Sequence, residues 1–226
     1  MDPITKALLA EFIKQNELEE VAEDKQFEHF ATFSVIASRY GEEFDTTDVV
    51  LGGSADLGID GCGIILNGRL IDDEQEVDDI LKLNGYLEAE LIFVQAKRSS
   101  NFDGAAMMLL GQHLKDAVFT HQTKPPISLE LGKRIKIIDE IYKRAAKFRK
   151  NPECRVYYVT TGIWNDDPYL KTIVAKQIAD LMATSMFAEV KYLPLGAQAL
   201  QQFYRATKYT ISRQINFDRT GYCPGR

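Results

Sequence analysis

The amino-acid sequence predicts an α/β fold, a three-layer sandwich in which helices cover both faces of a mixed central sheet. Two observations predict it: a β-hairpin signal follows two helical segments, and helical and strand-like stretches then alternate. With 226 residues, 45% of them hydrophobic and 27% charged, the chain can bury one large core. We expect a single domain over residues 1–226, with a helical extension at 1–23, a motif-bearing core at 24–121 and further α/β elements at 122–226.

The N-terminal part of the chain predicts two helices. Apolar residues recur at helical spacing within residues 2–20. Asp24 has the residue type of an N-cap for a second helix, which is expected to end near Tyr40. The apolar face of that second helix comprises Phe27, Phe30, Phe33 and Ile36. Each helix therefore has one face to bury against the rest of the protein.

Residues 59–72 predict a β-hairpin. Asn67-Gly68 lies between apolar flanks and suits a two-residue type I′ turn, because both positions of that turn need a positive φ. Residues 72–85 predict a short helix that ends at a glycine, and residues 87–99 predict a strand. Hairpin and strand together form the first part of the sheet.

The remaining elements alternate between helix and strand. A buried helix is expected over 104–119, further helices over 127–150, 168–187 and 197–207, and strands over 154–162 and 188–196. The strand that starts at Cys154 is rich in β-branched and aromatic residues. Pro168 suits the first turn of a helix, and Asp166 and Asp167 precede it as caps. Residues 208–226 are expected to start as a strand and to finish in a loop.

The charge of the chain is unevenly distributed. The net charge is −6, which argues mildly against a nucleic-acid partner. Residues 1–90 hold 22 acidic and 6 basic residues, a balance of −16, whereas residues 91–226 hold 21 basic and 11 acidic residues, a balance of +10. Residues 132–150 alone contain eight Lys or Arg. That stretch predicts either a solvated helix face or a surface for a phosphate backbone.

Cysteine use and hydropathy indicate a cytoplasmic protein. No apolar run approaches the ~20 residues that cross a bilayer, and the N-terminal segment lacks the features of a signal peptide. The three cysteines are far apart in the chain and include no CxxC pair. A reducing compartment and no membrane partner are therefore expected.

The strand at residues 87–99 carries polar side chains at its C-terminal end. Side chains alternate across a strand, so Gln95 and Lys97 share one face, while Ile92, Val94 and Ala96 share an apolar face. Ligand sites of α/β proteins gather at such strand ends. Lys97 is either an exposed end-of-strand residue or part of a site.

An acidic, glycine-rich loop precedes the hairpin, with the sequence "GGSADLGIDG" at residues 52–61. If the hairpin pairs with the strand at 90–97, the Asp60 carboxylate lies beside Gln95 and Lys97. Carboxylate and amide oxygens suit Mg²⁺ or Mn²⁺, and the Lys97 ammonium can then orient an attacking water. Asp60 is alternatively a turn residue. Asp56 joins the site only if Gly58 bends the chain, and otherwise makes a local turn bond.

These segments resemble a known nuclease signature. "GSADLGIDG" followed by "FVQAK" resembles the D–QxK form of the PD-(D/E)xK motif of Mrr-like restriction endonucleases. More closely, "LGGSADLGIDGCGIILNGRLI" followed by "LIFVQAKRSSNFD" resembles the N-terminal domain of the abortive-infection phage-resistance (AIPR) family, over about residues 24–121. The resemblance implies a restriction-endonuclease-like core, a divalent metal (Mg²⁺ or Mn²⁺), DNA as substrate with RNA left open, and a role in bacterial defence against phage.

The resemblance assigns roles to individual residues. Asp60 matches the motif aspartate, Gln95 the variant acidic position and Lys97 the lysine, and Glu28 stands where such nucleases often add a glutamate from the preceding helix. Asp60, Gln95 and Glu28 would then hold the metal, although Glu28 can equally solvate the edge of its helix. The neutral amide of Gln95 departs from the acidic pattern and implies weaker metal binding.

Several further residues carry alternatives. Gln112 can contact a phosphate, and His113 is either a packed helix residue or a base. Ser99 and Ser100 either cap the next helix or bind a backbone phosphate at its N-terminus. Trp164 follows a strand and either stacks on a base or closes the end of the sheet.

Two functions from different classes follow from these observations. The first is a metal-dependent endonuclease that hydrolyses DNA. The second is a catalytically degenerate module that binds nucleic acid or protein, which the uncharged Gln95 and the negative net charge support. A nucleotide-binding P-loop is not indicated, because no GxxxxGK[ST] motif is present. Many nucleases that cut both strands act as homodimers, but no periodicity in this sequence marks a dimer face.

Overall fold

The computed structural model describes residues 1–53 and 55–208 and confirms the predicted fold class, an α/β three-layer sandwich with a mixed sheet. The strands are β1 (Gly61–Leu66), β2 (Arg69–Ile71), β3 (Ala89–Lys97), β4 (Glu153–Thr160) and β5 (Glu189–Leu195). The helices of the described residues are α1 (Pro3–Gln15), α2 (Glu23–Ala37), α3 (Gln75–Asn84), α4 (Gly104–His113), α5 (Leu129–Lys143), α6 (Pro168–Met182) and α7 (Ala197–Lys208). The predicted strand and loop at 208–226 lie outside the described residues, except Lys208, which ends α7.

The hairpin is confirmed. Asn67 and Gly68 have φ values of 49° and 81°, as a type I′ turn requires, and they join the antiparallel strands β1 and β2. β1 also pairs antiparallel with β3, so the sheet order is β2-β1-β3-β4-β5. The hairpin therefore supplies one half of the sheet, next to the strand that carries Gln95 and Lys97.

The direction of the strands determines which ends meet. β3, β4 and β5 run parallel, so their carboxyl ends lie at one edge of the sheet. β1 runs antiparallel to β3 and therefore starts at that edge. Asp60, directly before β1, is thereby brought to the edge at which Lys97 ends β3.

Each face of the sheet has its own hydrophobic core. One core contains Leu91 and Phe93 of β3 and is covered by α3, α4, α5 and α6. The other contains Ile92, Val94 and Ala96 and is covered by α1, α2 and α7. This confirms the predicted alternation in β3. α1 packs in the same layer as α2 and α7, for example through Phe12 against Tyr204.

Three local predictions were wrong. α2 begins at Glu23 with no side-chain cap, so Asp24 lies in its first turn and is not the N-cap. The helix expected over 127–150 ends at Lys143, because Phe148 joins a β-bridge with Leu87 and the chain must turn to reach it.

The third concerns the helix expected over 104–119. It is α-helical only to His113 and continues as a π-helix over Leu114–Phe119. It is also not buried on all sides, because Leu109 is exposed.

Four of the eight basic residues at 132–150 form ion pairs with described residues of the protein. Arg134 donates to the carbonyl of Asp48, and Arg144 pairs with Asp78 at 2.6 Å and with Glu140 at 2.7 Å. Further ion pairs are Lys143–Glu140, Arg149–Glu88 and Lys150–Glu153. This arrangement favours a charged, solvated face over a surface for a phosphate backbone.

α2 lies unusually close to the sheet at Gly61. A Cβ atom on Gly61 would lie 2.4 Å from Cγ2 and Oγ1 of Thr32. Gly61→Ala is therefore expected to lower the free energy of unfolding by about 1–3 kcal/mol, through overpacking between α2 and β1. Urea denaturation would measure the change. Gly41→Ala is the matched control, since nothing lies within 4 Å of that added Cβ, and equal midpoints for the two variants would contradict the prediction.

In the part of the chain described, 1–53 and 55–208, no helix has both the length and the apolar character needed to traverse a lipid bilayer.

Candidate functional site

Asp60 is held by the backbone at the edge where β3 and β4 end. Its amide donates to the carbonyl of Val94 at 2.8 Å, and its carbonyl accepts from the amide of Leu51 at 2.9 Å. Its carboxylate Oδ2 accepts from the amide of Ala96 at 2.7 Å. The residue is 4% exposed. Asp60 is therefore a buried acid in a fixed orientation.

Gln95 lies opposite Asp60 across the strand pair. The register pairs Gly61 with Val94 and Cys62 with Phe93, which puts position 60 opposite position 95. The Gln95 side chain is buried, and its Oε1 atom has no hydrogen-bond partner among the described residues. Such an orphaned oxygen costs about 1–3 kcal/mol. An unpartnered acceptor beside a buried carboxylate is the arrangement that a bound cation would satisfy.

Lys97 and Gln95 line a cavity of about 460 Å³. The cavity lies between the loop at 55–58 and α4, and Lys97, Asp56, Gly58 and His113 contribute to its lining. Lys97 forms no ion pair with the described residues, and its positive charge opposes the rise in the pKa of Asp60. Its ammonium is thus available to a ligand in the cavity.

The loop before β1 bends as the Asp56 prediction required. Leu57 and Gly58 have φ values of 60° and 76°, and the amide of Gly58 donates to Asp56 Oδ1 at 2.9 Å. A Cβ on Gly58 would lie 2.5 Å from Nε2 of Gln95. Both this close approach and the positive φ therefore require a glycine at position 58. Asp56 therefore makes the local turn bond and also lines the cavity with Lys97.

Glu28 comes to the site from α2. It lies one helical turn before Thr32, the residue in contact with Gly61, and therefore on the same side of the helix. Burial raises the pKa of Glu28, the Lys25 ammonium at 2.7 Å opposes this, and Asp24 and Asp56 add to the rise. Glu28 is thus a partly desolvated acid whose negative charge raises the pKa of Asp60.

The pKa of Asp60 is raised to about 7. Burial is the largest cause, and the negative charge of Glu28 adds to it. The hydrogen bond from Ala96 and the charge of Lys97 act in the opposite direction but do not outweigh burial. A carboxylate in this position lacks a sufficient counter-charge.

The candidate ligands for a hard divalent cation are the carboxylates of Asp60 and Glu28 and the amide oxygen of Gln95. Within residues 1–53 and 55–208, no three His, Cys, Asp or Glu side chains are grouped so as to hold a metal ion. The predicted ligands do not form a group of that kind, because only Asp60 and Glu28 are acids and the third donor is the amide oxygen of Gln95. Asp60 and Glu28, together with that unpartnered oxygen, supply only oxygen ligands, as Mg²⁺ and Mn²⁺ prefer. In chemical type, these residues fit the cation that the resemblance implies.

The remaining predicted residues do not add donors to Asp60, Gln95 and Glu28. Gln112 is exposed and does not line the cavity of Lys97. His113 Nδ1 lies 2.9 Å from the carbonyl of Leu57, which favours the packed interpretation. The cap of α4 is Asp103, so Ser99 and Ser100 do not cap that helix. Their predicted contact with phosphate stays a prediction.

Sequence reasoning missed Lys25. This residue pairs with Glu28 at 2.7 Å and so supplies a positive charge near the acids. Its spacing of three residues from Glu28 on a predicted helix was the available signal.

Comparison of the chain with family models, with curated proteins and with solved structures finds no match. The interpretation of the site therefore depends on its geometry and on the motif resemblance alone.

Proposed function

We propose that this protein is a metal-dependent endonuclease that hydrolyses phosphodiester bonds of DNA. The observation that carries the proposal is that three groups lie at one sheet edge: the buried Asp60 carboxylate, the Gln95 oxygen opposite it and the Lys97 ammonium two residues later on the same face. Among the described residues, that oxygen has no hydrogen-bond partner and that ammonium forms no ion pair. An acid, an oxygen donor and a cation beside a cavity are the parts that phosphodiester hydrolysis requires.

The proposed division of roles follows from residue chemistry. Asp60, Gln95 and Glu28 would hold Mg²⁺ or Mn²⁺, which when bound would polarise the phosphodiester and lower the pKa of a water. Lys97 orients the attacking water and stabilises negative charge on the phosphate. The bent loop carrying Asp56 and Gly58 forms one wall of the cavity and passes close to the Gln95 amide.

The biological setting is part of the same proposal. The resemblance to the AIPR family supports a restriction-endonuclease-like core, a role in bacterial phage defence, and DNA as partner with RNA left open. A homodimer fits cleavage of both strands. The proposed compartment is the cytoplasm, where buried free thiols such as those of Cys62 and Cys154 stay reduced.

A second candidate is a module that binds nucleic acid or protein without cleaving. The observation that favours it is the ion pair of Glu28 with Lys25, which already supplies one acid with a cation. Gln95 adds no negative charge, so metal affinity rests mainly on Asp60. This candidate predicts binding without turnover.

Supercoiled plasmid distinguishes the two functions. The nuclease proposal predicts nicking by the purified chain with Mg²⁺ or Mn²⁺, none with EDTA, and none by Asp60→Ala. Asp79→Ala is the matched control, because Asp79 is an exposed acid on α3 and its loss should leave nicking unchanged. Plasmid that is bound but left intact by the wild-type chain with either metal would support the binding module instead.

Gln95→Glu is expected to strengthen metal binding and to weaken the metal-free protein. A second carboxylate opposite Asp60 adds like-charge repulsion in a buried position, which a divalent cation offsets. Thermal unfolding should show a lower Tm than wild type in EDTA and a larger rise on adding Mn²⁺. Gln177→Glu, at another buried glutamine, should lose stability without that recovery. An equal response to Mn²⁺ in both variants would contradict the assignment of Gln95.

A further inference from the structure

A second and larger cavity lies at the same sheet edge, beyond the ends of β4 and β5. Its volume is about 680 Å³. The segment 161–165, which follows β4, forms one wall, and the start of α7 forms another. Ser100, just after β3, also lines it. We call it the Trp164 cavity, after its one aromatic lining residue.

The lining of the Trp164 cavity suits a flat, uncharged group. Trp164 is partly exposed there, and its indole N–H already donates to Asp166, so the ring offers an apolar surface rather than a donor. Ile163 beside it is 78% exposed. Asn165 and Gln198 add amide groups that can both donate and accept hydrogen bonds.

The charged side chain that lines the cavity disfavours a phosphate. Among the described residues, none that lines it is Lys, Arg or His. Asp2 lines it, and hydrogen bonds, chiefly from the Thr5 hydroxyl, lower the pKa of that carboxyl. A phosphate entering the cavity would meet a negative charge and no cation, whereas a neutral ring would meet an aromatic surface.

The cavity is joined to the candidate site through the strand ends. Lys97 pairs with Thr160 in the β3–β4 register, and the cavity begins one residue further, at Thr161. The Thr161 amide donates to the Ser99 carbonyl at 3.1 Å, and its hydroxyl donates to the Arg98 carbonyl at 2.9 Å. Lys97 and the Trp164 cavity thus lie at adjacent strand ends, so a polynucleotide bound through a phosphate at Lys97 could direct a nearby base toward the cavity.

We propose that the Trp164 cavity binds an unpaired base of the nucleic-acid strand whose phosphate lies at Lys97. The inference rests on the proposed function and adds a substrate class, because a base can enter only from a single strand or from a locally opened duplex. Stacking on an aromatic ring tolerates any base, so the cavity selects for unpaired structure rather than for sequence.

Tryptophan fluorescence tests the inference directly, since the chain contains a single Trp. In EDTA, which prevents metal-dependent cleavage, a single-stranded 12-mer deoxyoligonucleotide should quench the fluorescence in a saturable manner. A 12-mer of abasic sites has the same phosphates and should not quench. The blunt duplex of the same sequence should quench less than the single strand. Equal quenching by the abasic strand, or no quenching by any strand, would overturn the inference.

Substitutions test the same point through affinity. Trp164→Ala should weaken binding of a labelled single strand about 10-fold in fluorescence anisotropy, and Trp164→Phe should recover most of the loss. Tyr169→Ala is the matched control, because Tyr169 is an aromatic residue with 66% exposure that does not line the cavity. Equal losses in Trp164→Ala and Tyr169→Ala, or no loss in Trp164→Ala, would refute it.

The experiments can reject base binding and nuclease activity independently of each other. Quenching by single strands together with an uncut plasmid would leave base binding in place and remove the nuclease. Plasmid nicking without quenching would leave the nuclease in place and remove the base site.

Discussion

Lys97→Ala is expected to reduce the rate of metal-dependent plasmid cleavage by about 100- to 1000-fold while leaving the fold intact. The proposed role of the ammonium is to hold the attacking water and to stabilise charge that develops on the phosphate, and loss of one such group typically has an effect of this size. The side chain is half-buried at the end of β3 and forms no ion pair with the described residues, so its removal breaks no salt bridge among them. Single-turnover nicking at saturating Mg²⁺ measures the chemical step.

Lys191→Ala is the matched control for this variant. Lys191 is also a lysine on a strand, but it lies in the first half of β5, far from the carboxyl edge, and pairs with Glu189 at 3.0 Å. Cleavage by Lys191→Ala should equal that of the wild type. Lys97→Arg should recover only part of the activity, because a planar guanidinium does not present a compact charge. Undiminished cleavage by Lys97→Ala would remove Lys97 from the mechanism.

Asp60→Asn is expected to abolish metal-dependent cleavage and, in EDTA at pH 8, to raise the free energy of unfolding by about 2–4 kcal/mol. Asp60 is 4% exposed and its pKa is raised from 3.8 to about 7, so at pH 8 the folded protein must carry a buried negative charge. Asparagine keeps an oxygen that can accept from the Ala96 amide and removes that charge. Stability and function therefore oppose each other at this position.

The raised pKa of Asp60 predicts the direction in which the free energy of unfolding changes with pH. Between about pH 4 and pH 7 the folded protein keeps a proton on Asp60 that the unfolded chain has released. Wild-type stability should therefore fall as pH rises through that window and then level off, and Asp60→Asn should lack this part of the fall. Asp103→Asn, at an exposed acid that also accepts backbone hydrogen bonds, should follow the wild type. Urea unfolding across pH in EDTA measures all three proteins, and identical wild-type and Asp60→Asn curves would contradict the prediction.

The effect of Mn²⁺ on the Tm should also distinguish the wild type from Asp60→Asn. Mn²⁺ at pH 8 should raise the Tm of the wild type, because it supplies the missing counter-charge, and should raise that of Asp60→Asn much less. An equal rise in both proteins would indicate that the metal binds elsewhere.

The elements that sequence predicted well depend on local chemistry. The turn at Asn67-Gly68 follows from the need for two positive φ values, and the two faces of β3 follow from strict alternation. The juxtaposition of Asp60 and Gln95 could be predicted only by assuming that the hairpin pairs with β3, and the observed register confirms that assumption.

What the sequence did not reveal depends on distant partners. The end of α5 at Lys143 reflects the bridge between Phe148 and Leu87, and no local pattern encodes it. The basic stretch looked available for phosphate because Asp78, which binds Arg144, lies 66 residues away in the chain. The orphaned oxygen of Gln95 is likewise a product of packing, since its surroundings form only when the Gly58 loop closes over it.

The connectivity of the sheet has a consequence for how the molecule assembles. β1, β2 and β3 are joined antiparallel by a tight turn and one short helix, whereas β4 reaches β3 only after a long crossover through α4 and α5. Short-range pairings close small loops and carry the lower entropic cost, so they tend to form early in folding. Asp60 and Gln95 would then come face to face while the parallel part of the sheet is still unformed, and docking of β4 and β5 would complete the sheet afterwards.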